Sequence, residues 1–441
     1  MTAAGPSPAS PAGTPTTAHP EPSSDPGTSG GACPYSAHAE TSAAPLPETL
    51  PNAAPRGACP FDPPPVYQQA RREQPVIRTK LWDGSSCWMV TRHDDIRRTL
   101  RDDRFSSDSN RPGFPFLTAG RKALTTDNPT FIRMDDPEHA RLRRMLTADF
   151  MIRKVESMRP QVQELADDLL DAMVKGRQEA DFVADFALPL PSVVICLLLG
   201  VPYSEHDFFQ RCSSIMLRTE STPAQVTAAQ DELHAYMAEL TRTKRRNPDD
   251  GILSRLAERD ELSDDDISRM GRLLLVAGHE TTANMTALST LALLRNPREL
   301  ERMRAAGPEE AKAAVEELLR YLTIIQSGVS RVATEDVAVG DTVIRKGEGV
   351  LCMINAANRD EDVFPDADRL DLARPGSRRH LAFGFGVHQC LGQPLARLEL
   401  QVALTTVLRR LPDLRLAIPF EDVRFRTDML IYGVHSLPVA W

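Results

Sequence analysis

One stretch near the carboxyl end decides the fold: Phe383-Gly384-Phe385-Gly386-Val387-His388-Gln389-Cys390-Leu391-Gly392. A helical pattern, Pro394 to Leu408, follows it directly. Gly384 and Gly386 allow a tight loop and the close approach of a bulky group, because glycine has no Cβ. Cys390 lies where the helix begins, so its sulfur faces unpaired backbone N–H groups and the positive end of the helix dipole. Both features favour the thiolate over the thiol.

The spacing of this stretch distinguishes a ligand cysteine from a buried structural one. An isolated cysteine is more often simply buried, but a lone thiolate with Phe383 beside it suits an axial haem ligand. The stretch matches Phe-x-x-Gly-x-His-x-Cys-x-Gly at each fixed position. On that pattern the chain resembles the cytochrome P450 family, in its actinobacterial branch. The resemblance implies that Cys390 is the axial ligand of haem b, with Phe383, Gly386, His388 and Gly392 contacting the cofactor.

Composition and charge limit the classes of protein to which the chain can belong. Of the 441 residues, 41% are hydrophobic and 26% charged, as in ordinary soluble globular proteins. The formal net charge of −9 argues against nucleic-acid binding. Seven scattered cysteines without a zinc spacing argue against a disulfide framework and predict a reducing, cytoplasmic location. The sequence has no apolar run of about 18 residues, so no membrane span is expected.

The chain divides into a tail and a domain. Residues 1–60 are rich in Pro, Ala, Ser, Thr and Gly and predict a disordered tail, followed by one cytochrome P450 domain over 61–441. Cys33 and Cys59 lie in a short repeat within the tail. They have no supporting His or Cys, so no metal site is expected there. Removal of residues 1–58 is expected to leave the domain intact.

Several elements of the domain are readable from local patterns. Pro75 to Ile77 and Cys87 to Val90 predict a hairpin, and His93 to Leu100 a short helix. Residues 105–130 contain Pro and Gly repeatedly and predict a long functional loop. A helical pattern runs from Ser263 to Arg295 and would span roughly 45 Å. The resemblance implies that the helices of 203–235 cover a substrate pocket.

The centre of the long helix carries an unusual polar sequence: Ala277-Gly278-His279-Glu280-Thr281-Thr282. Glycine costs about 1 kcal/mol in mid-helix, and a threonine hydroxyl can bond back to a carbonyl four residues earlier. One interpretation of these residues is a buried point of polar packing in the helix. The resemblance implies that Ala277 and Gly278 lie over the haem, while Glu280 and Thr281 form an acid–alcohol pair that delivers protons. His279 is expected to be a satisfied helix residue and not an iron ligand.

Other basic residues are candidates for the haem propionates. His139 and Arg143 are four residues apart, so they share one face of the helix that starts near Pro137. They suit a carboxylate acceptor, or they belong to a solvated basic face. The resemblance implies propionate contacts from both, from Arg331 and from His388.

A second pair of charged residues has a structural interpretation. Glu317 and Arg320 are spaced i, i+3 on a predicted helix, which alone is a weak signal. The resemblance implies a buried pair completed by a further arginine. Arg374 is favoured for that position over Arg369.

The resemblance implies a mainly α-helical protein with a small β-rich subdomain, in which haem lies between the long central helix and the Cys390 loop. It implies a monomeric monooxygenase that inserts one atom of O2 into a C–H bond of an apolar natural product or xenobiotic. Electrons would come from NAD(P)H through a ferredoxin reductase and a ferredoxin, since the sequence contains no flavin or iron–sulfur module. The ferredoxin is expected to dock on a basic face made by Arg141, Arg144, Arg153, Lys154 and Arg397.

Three alternatives remain open. They are a haem-thiolate nitric oxide reductase that uses NADH, a peroxide-using peroxygenase, and a non-catalytic haem sensor. The presence of the Glu280–Thr281 pair argues against each of them.

Overall fold

The computed structural model describes residues 1–2, 5, 46–51, 54–126 and 129–441. Helices are the main secondary structure of the described chain. In chain order they are α1 (Pro65–Glu73), α2 (His93–Arg101), α3 (Ala119–Thr126), α4 (Glu138–Thr147), α5 (Ile152–Ser157), α6 (Arg159–Val174), α7 (Pro189–Leu199), α8 (His206–Leu217), α9 (Pro223–Arg246), α10 (Ile252–Ala257), α11 (Asp264–Leu294), α12 (Pro297–Ala305), α13 (Pro308–Leu322), α14 (Ile354–Ala357) and α15 (Gln393–Arg410).

The strands form small sheets beside the helices. They are β1 (Thr49–Pro51), β2 (Val76–Lys80), β3 (Ser86–Val90), β4 (Phe105–Ser106), β5 (Glu179–Asp181), β6 (Val329–Ala333), β7 (Val337–Val339), β8 (Thr342–Ile344), β9 (Gly349–Cys352), β10 (Arg415–Leu416) and β11 (Pro438–Ala440). The largest sheet has the order β1-β2-β3-β9-β6-β4. Its β1–β2 and β3–β9 pairs are parallel, and its other pairs are antiparallel. The predicted β2–β3 hairpin and mainly helical fold are confirmed.

Helix α11 is the long central helix that the sequence predicts. The Ser263 hydroxyl accepts the Asp266 N–H, and the Asp266 carboxylate accepts the Ser263 N–H, which forms a capping box. The helix packs against α7, α9 and α15. A Cβ on Gly278 would lie 2.7 Å from Cγ1 of Ile195 in α7, so this glycine permits close helix packing. The contact gives Gly278 a packing role beside the cofactor contact that the resemblance implies.

The segment 105–130 is not the plain loop that its prolines and glycines predict. It contains β4 and, toward its end, helix α3. Helix α3 lies against α9, where a Cβ on Gly120 would come within 2.8 Å of Cγ2 of Val226. Tertiary packing on α9 therefore stabilises a helix that the local sequence does not predict.

The domain begins earlier than residue 61. Strand β1 extends the large sheet, and Leu50 is fully buried. The Arg56 guanidinium lies 3.6 Å from the centroid of the Tyr432 ring and donates to the carbonyl of Asp62 at 2.7 Å. Residues 46–51 and 54–60 of the predicted tail are thus folded onto the domain. The rest of that prediction lies outside the described residues.

The cysteines follow the sequence expectation with one exception. Cys87, Cys196, Cys212, Cys352 and Cys390 are free. Cys59 is buried and disulfide-bonded, which the expectation of reduced cysteines did not foresee. Cys33 lies outside the described residues.

Helix α13 carries a fully buried ion pair. Arg320 binds Glu317 through Nε–Oε2 at 2.7 Å and Nη2–Oε1 at 2.8 Å. Nε of Arg374 donates to Oε1 of Glu317 at 3.0 Å, which makes Arg374 the third member. The Arg369 guanidinium binds Asp371 instead. The triad joins α13 to the segment that leads into the Cys390 loop.

Within the described residues, the helices are too short or too polar to serve as membrane spans.

Candidate haem and oxygen site

The Cys390 loop has the backbone that its glycines predict. Gly384 and Gly386 have φ values of +71° and +76°, in the left-handed region that favours glycine. A Cβ on Gly386 would lie 2.3 Å from the carbonyl oxygen of Leu100, so no side chain fits there. The Cys390 N–H donates to the carbonyl of Phe383 at 2.8 Å. This bond closes the loop and sets the position of the sulfur.

The Cys390 side chain is accessible although protein atoms surround it. Burial raises the pKa of its thiol, whereas the N–H groups of Gly392 and Gln393 and the charges of Arg143 and Arg397 lower it. The N–H groups at the helix start lower the pKa of the thiol, as the sequence predicts, but burial raises this pKa by more. A bound metal ion would remove the proton, because a coordinating thiol is deprotonated.

One stripe of the otherwise buried α11 is also accessible. Ala277 is exposed, and Leu273 and Thr281 are partly buried on the same side of the helix. The Thr281 hydroxyl donates to the Ala277 carbonyl at 2.7 Å, as the sequence predicts. Phe383 and Leu391 of the Cys390 loop border the same hydrophobic core as Leu273. The stripe and the loop thus present accessible surface within the helical part of the domain.

The acid of the central helix is held from the carboxyl-terminal segment. Glu280 is buried, and its Oε2 accepts from Nη1 of Arg426 at 2.9 Å. Nδ2 of Asn284 donates to the same oxygen at 3.3 Å. Sequence reasoning missed Arg426, which lies 146 residues from Glu280 in a segment without a readable motif.

His279 is fully buried on α11, but it is not the fully satisfied residue that the sequence predicts, because its Nε2 has no hydrogen-bond partner among the described residues. Its Nδ1 lies 2.7 Å from the Leu275 carbonyl oxygen, and its ring packs edge-on against Phe209 in α8. Burial lowers the pKa of His279.

Five basic side chains converge beside the Cys390 loop: His139, Arg143, Arg331, His388 and Arg133. The rings of His139 and His388 lie 4.0 Å apart between centroids. Burial, followed by the charges of these neighbours, lowers the pKa of His388 to about 2. The sequence predicted the first four as propionate candidates. It did not predict Arg133, which precedes His139 without a recognisable motif.

This cluster has the chemistry of an anion site. Nε2 of His139, Nδ1 of His388 and Nε of Arg133 are buried without a hydrogen-bond partner among the described residues. Such groups cost free energy unless a ligand satisfies them. Two carboxylates beside the Cys390 thiol would do so, and haem b carries two propionates. Arg143 differs, since its Nη2 donates to the Gln389 carbonyl at 2.6 Å and braces the loop.

Comparisons with known proteins agree with this arrangement. A model of the family "Cytochrome P450" matches residues 311–415. The chain is 66% identical to Cytochrome P450-SU2 of Streptomyces griseolus, over 91% of this chain and 99% of that protein. It is 43% identical to a vitamin D3 dihydroxylase of the same organism, over 87% and 95% of the two chains.

Solved structures give the same result. The crystal structure of GfsF has a TM-score of 0.82 at 47% identity and covers 87% of this chain and 98% of its own. CYP105P1, solved in complex with filipin I, has a TM-score of 0.83 at 39% identity. The match covers 89% of this chain and 98% of that one. Fold and site together define a haem-thiolate class of protein. The chain belongs to the cytochrome P450 family, and it is a haem b monooxygenase.

Proposed function

We propose that the protein inserts one oxygen atom from O2 into a C–H bond of an apolar natural product or xenobiotic. The observation that carries this proposal is the accessible Cys390 sulfur beside a cluster of basic side chains, three of which have a buried nitrogen without a hydrogen-bond partner among the described residues. Cys390 would hold the haem iron, and His139, His388, Arg331 and Arg133 would bind the propionates. When bound, haem supplies the activation of O2.

Proton delivery belongs to two neighbouring side chains of α11. The Thr281 hydroxyl lies on the accessible stripe, next to the place where O2 would bind. The Glu280 carboxylate lies one residue earlier and is held by Arg426. An acid behind an alcohol can pass protons to a reacting oxygen, directly or through water.

Electrons reach the site from a separate protein, for which a basic face is available. Arg144, Arg153 and Lys154 are exposed on α4 and α5. Met151 and Ile152 lie among them with 58% and 70% of their surface exposed. Apolar residues with a basic rim suit an acidic ferredoxin. A ferredoxin and its NAD(P)H-dependent reductase, in the cytoplasm, complete the proposal.

Two cations of the predicted face are already paired. Nε of Arg397 donates to Oε1 of Glu316 at 2.6 Å, and its guanidinium lies over the Phe383 ring. Arg141 binds Glu138 at 2.9 Å on the surface. Arg397 therefore supports the Cys390 loop, and we leave it out of the docking face.

Replacement of Cys390 tests the central assignment. Cys390→Ala removes the sulfur, so the reduced, CO-bound protein should lose the red-shifted Soret band of thiolate ligation. Cys87→Ala on β3 serves as the matched control and should keep the band. Retention of the band in Cys390→Ala would exclude this residue as the ligand.

The source of electrons separates the proposal from its alternatives. Product formation from NADH should require both the ferredoxin and its reductase. Turnover with NADH alone would favour a nitric oxide reductase, and turnover with peroxide alone would favour a peroxygenase.

A further inference from the structure

A buried carboxylate lies behind the Cys390 loop and has no part in the site described above. Glu316 is on α13, one residue before Glu317 of the triad, and 2% of its surface is exposed. Its carboxylate does not bind the arginines of the triad. It binds Arg397 on α15 and His380 in the segment that leads into the loop. Glu316 therefore joins two elements that flank the cysteine.

The contact between Glu316 and Arg397 is bidentate. Nε of Arg397 donates to Oε1 at 2.6 Å, and Nη2 donates to Oε2 at 3.1 Å. Two parallel bonds of this form are stronger than a single one and fix the orientation of both groups. The side chain of Glu316 is 3% exposed and that of Arg397 is 27% exposed. The pair is thus mostly out of water, where charges act over longer distances.

The same guanidinium reaches the Cys390 loop. It lies 4.6 Å from the centroid of the Phe383 ring, and its Nη1 donates to Oε1 of Gln393 at 2.8 Å. The Phe383 carbonyl in turn accepts the Cys390 N–H at 2.8 Å, and Gln393 follows the cysteine by three residues. Arg397 is therefore a positive charge held beside the residue that would ligate the iron.

His380 holds the other side of the carboxylate. Its Nδ1 accepts the Ala382 N–H at 3.1 Å, and a ring nitrogen that accepts a hydrogen bond carries no proton. Nε2 is therefore the protonated nitrogen of a neutral ring, and it donates to Oε2 of Glu316 at 3.1 Å. Burial would raise the pKa of Glu316, but the hydrogen bonds from His380 and Arg397 lower it to about 2. The carboxylate is thus ionised at neutral pH, and Arg397 is the cation that it balances.

A charge near haem iron changes how readily the iron is reduced. Reduction adds one electron, so a nearby cation favours the ferrous form and a nearby anion opposes it. A unit charge about 10 Å away changes such an equilibrium roughly tenfold at an effective dielectric constant of about 20. Without a balancing anion, Arg397 would therefore make the iron easier to reduce.

We propose that Glu316 is a positioning residue that keeps the reduction potential of the haem iron low, because it holds Arg397 beside the Cys390 loop and balances its charge. The step concerned moves one electron from the reduced ferredoxin to the ferric haem, which becomes ferrous. This inference rests on the proposed function, because it requires Cys390 to hold the iron.

Removal of the negative charge tests the proposal on the haem-loaded protein. Glu316→Gln keeps an acceptor for Arg397 but no longer balances its charge. At a fixed applied potential, the ratio of ferrous to ferric protein should rise about tenfold over wild type, measured by spectroelectrochemical titration. Glu310→Gln removes the same charge from an exposed position of α13 and should leave the ratio unchanged. No rise in Glu316→Gln, or an equal rise in Glu310→Gln, would overturn the proposal.

A double variant separates the effect of charge from a structural role. Glu316→Gln/Arg397→Gln removes the cation as well, so the ratio should return toward that of wild type. A defect in packing caused by the loss of Glu316 would not be reversed by the loss of a second residue. A ratio as high in the double variant as in Glu316→Gln would therefore contradict the proposal.

A single replacement of the arginine gives the opposite sign. Arg397→Gln removes the cation and leaves the carboxylate, so the ratio should fall below that of wild type at about pH 8. Arg409→Gln, on the exposed last turn of α15, is the matched control and should not change the ratio. This pair also serves if Glu316→Gln folds poorly, and an unchanged or higher ratio in Arg397→Gln would count against the proposal.

The CO-bound spectrum separates this inference from the function on which it rests. Each variant should keep the red-shifted Soret band, since Cys390 is untouched. Loss of the band in Glu316→Gln but not in Glu310→Gln would mean that Glu316 holds the loop itself, and the proposal would be wrong. Absence of the band in wild type would instead reject ligation by Cys390, and with it the proposed function.

Discussion

At the scale of single residues, the Glu280–Arg426 contact would set the geometry of the proton delivery that we propose. Glu280 is buried and its Oε2 accepts from both Arg426 and Asn284. The carboxylate is thereby fixed behind Thr281. A carboxyl group that must pass on a proton works best when its position is fixed before the reaction. We therefore propose that Arg426 is a positioning residue, which acts through Glu280.

Replacement of Arg426 should uncouple electron use from product formation. In Arg426→Gln the Glu280 carboxylate loses its charged partner and its fixed position. We expect less product per NADH and more peroxide, with haem content unchanged, and we expect the same outcome for Thr281→Ala. Arg426→Lys should recover part of the coupling, whereas Arg424→Gln on the same segment is exposed and should have no effect. Normal coupling in Arg426→Gln would contradict this role.

The sequence could predict residues whose function depends on near neighbours. The Thr281 back bond follows from spacing within about one helical turn, because that contact is local. The role predicted for Cys390 rests instead on the resemblance that its ten-residue stretch carries. Arg426 and Arg133 could not be predicted in the same way. Each meets its partners only after the chain folds, and an arginine in a surface-like segment has no distinguishing pattern.

At the scale of elements, the amino-terminal segment is part of the domain. Strand β1 is bonded to β2, and the Thr79 hydroxyl donates to the Leu50 carbonyl at 2.9 Å. The Tyr432 hydroxyl donates to the Pro60 carbonyl at 2.9 Å. Composition predicted a tail here, because proline and alanine dominate the sequence. A three-residue edge strand is too short to stand out from that background.

Two truncations should behave differently. Under reducing conditions, removal of residues 1–45 leaves β1 and Arg56 in place, so the midpoint of thermal unfolding should be unchanged. Removal of residues 1–58 also exposes the surface that Leu50 covers, and burial of one leucine contributes roughly 1.5–3 kcal/mol. We expect the midpoint to fall by several degrees, measured by calorimetry. Equal midpoints for the two truncations would show that the packing of residues 46–58 adds no stability.

At the scale of the whole molecule, the distribution of charge bears on the association with ferredoxin that we propose. The chain carries a net charge of −9, but Arg144, Arg153 and Lys154 are grouped around exposed Met151 and Ile152. A local patch opposite in sign to the whole molecule orients an acidic partner as it approaches.

Charge reversal on this face should slow reduction by ferredoxin. Arg144→Glu and Lys154→Glu should lower the rate at low salt, where the Debye length is long. Lys80→Glu on β2 makes the same change elsewhere and should leave the rate alone. Reduction by dithionite should be unaffected in all three. A rate insensitive to salt and to the reversals would exclude this face.

A buried acid makes stability depend on pH. Burial raises the pKa of Glu399 to about 8, and its Oε2 has no hydrogen-bond partner among the described residues. The pKa of a glutamate in an unfolded chain is about 4.3. Above that pH the unfolded chain has therefore lost a proton that the native state keeps. Stability contributed by this site therefore falls as the pH rises toward about 8.

Replacement by glutamine should remove that dependence. Glu399→Gln should raise the unfolding midpoint relative to wild type at about pH 8, and by much less at about pH 5. Glu310→Gln, an exposed residue of α13, should show no difference between the two conditions. An equal effect of Glu399→Gln at both pH values would mean that the carboxyl ionises normally.

The Glu317–Arg320–Arg374 triad also bears on how the protein is made. Glu317 and Arg374 are 57 residues apart. At the usual pace of translation, Arg374 leaves the ribosome about 3 to 11 s after Glu317. Until then Glu317, which is fully buried in the native state, lacks its second arginine partner. Helix α13 therefore cannot yet form its native contacts. Cys390 emerges only 16 residues after Arg374. All three members of the triad have therefore been synthesised before the cysteine emerges.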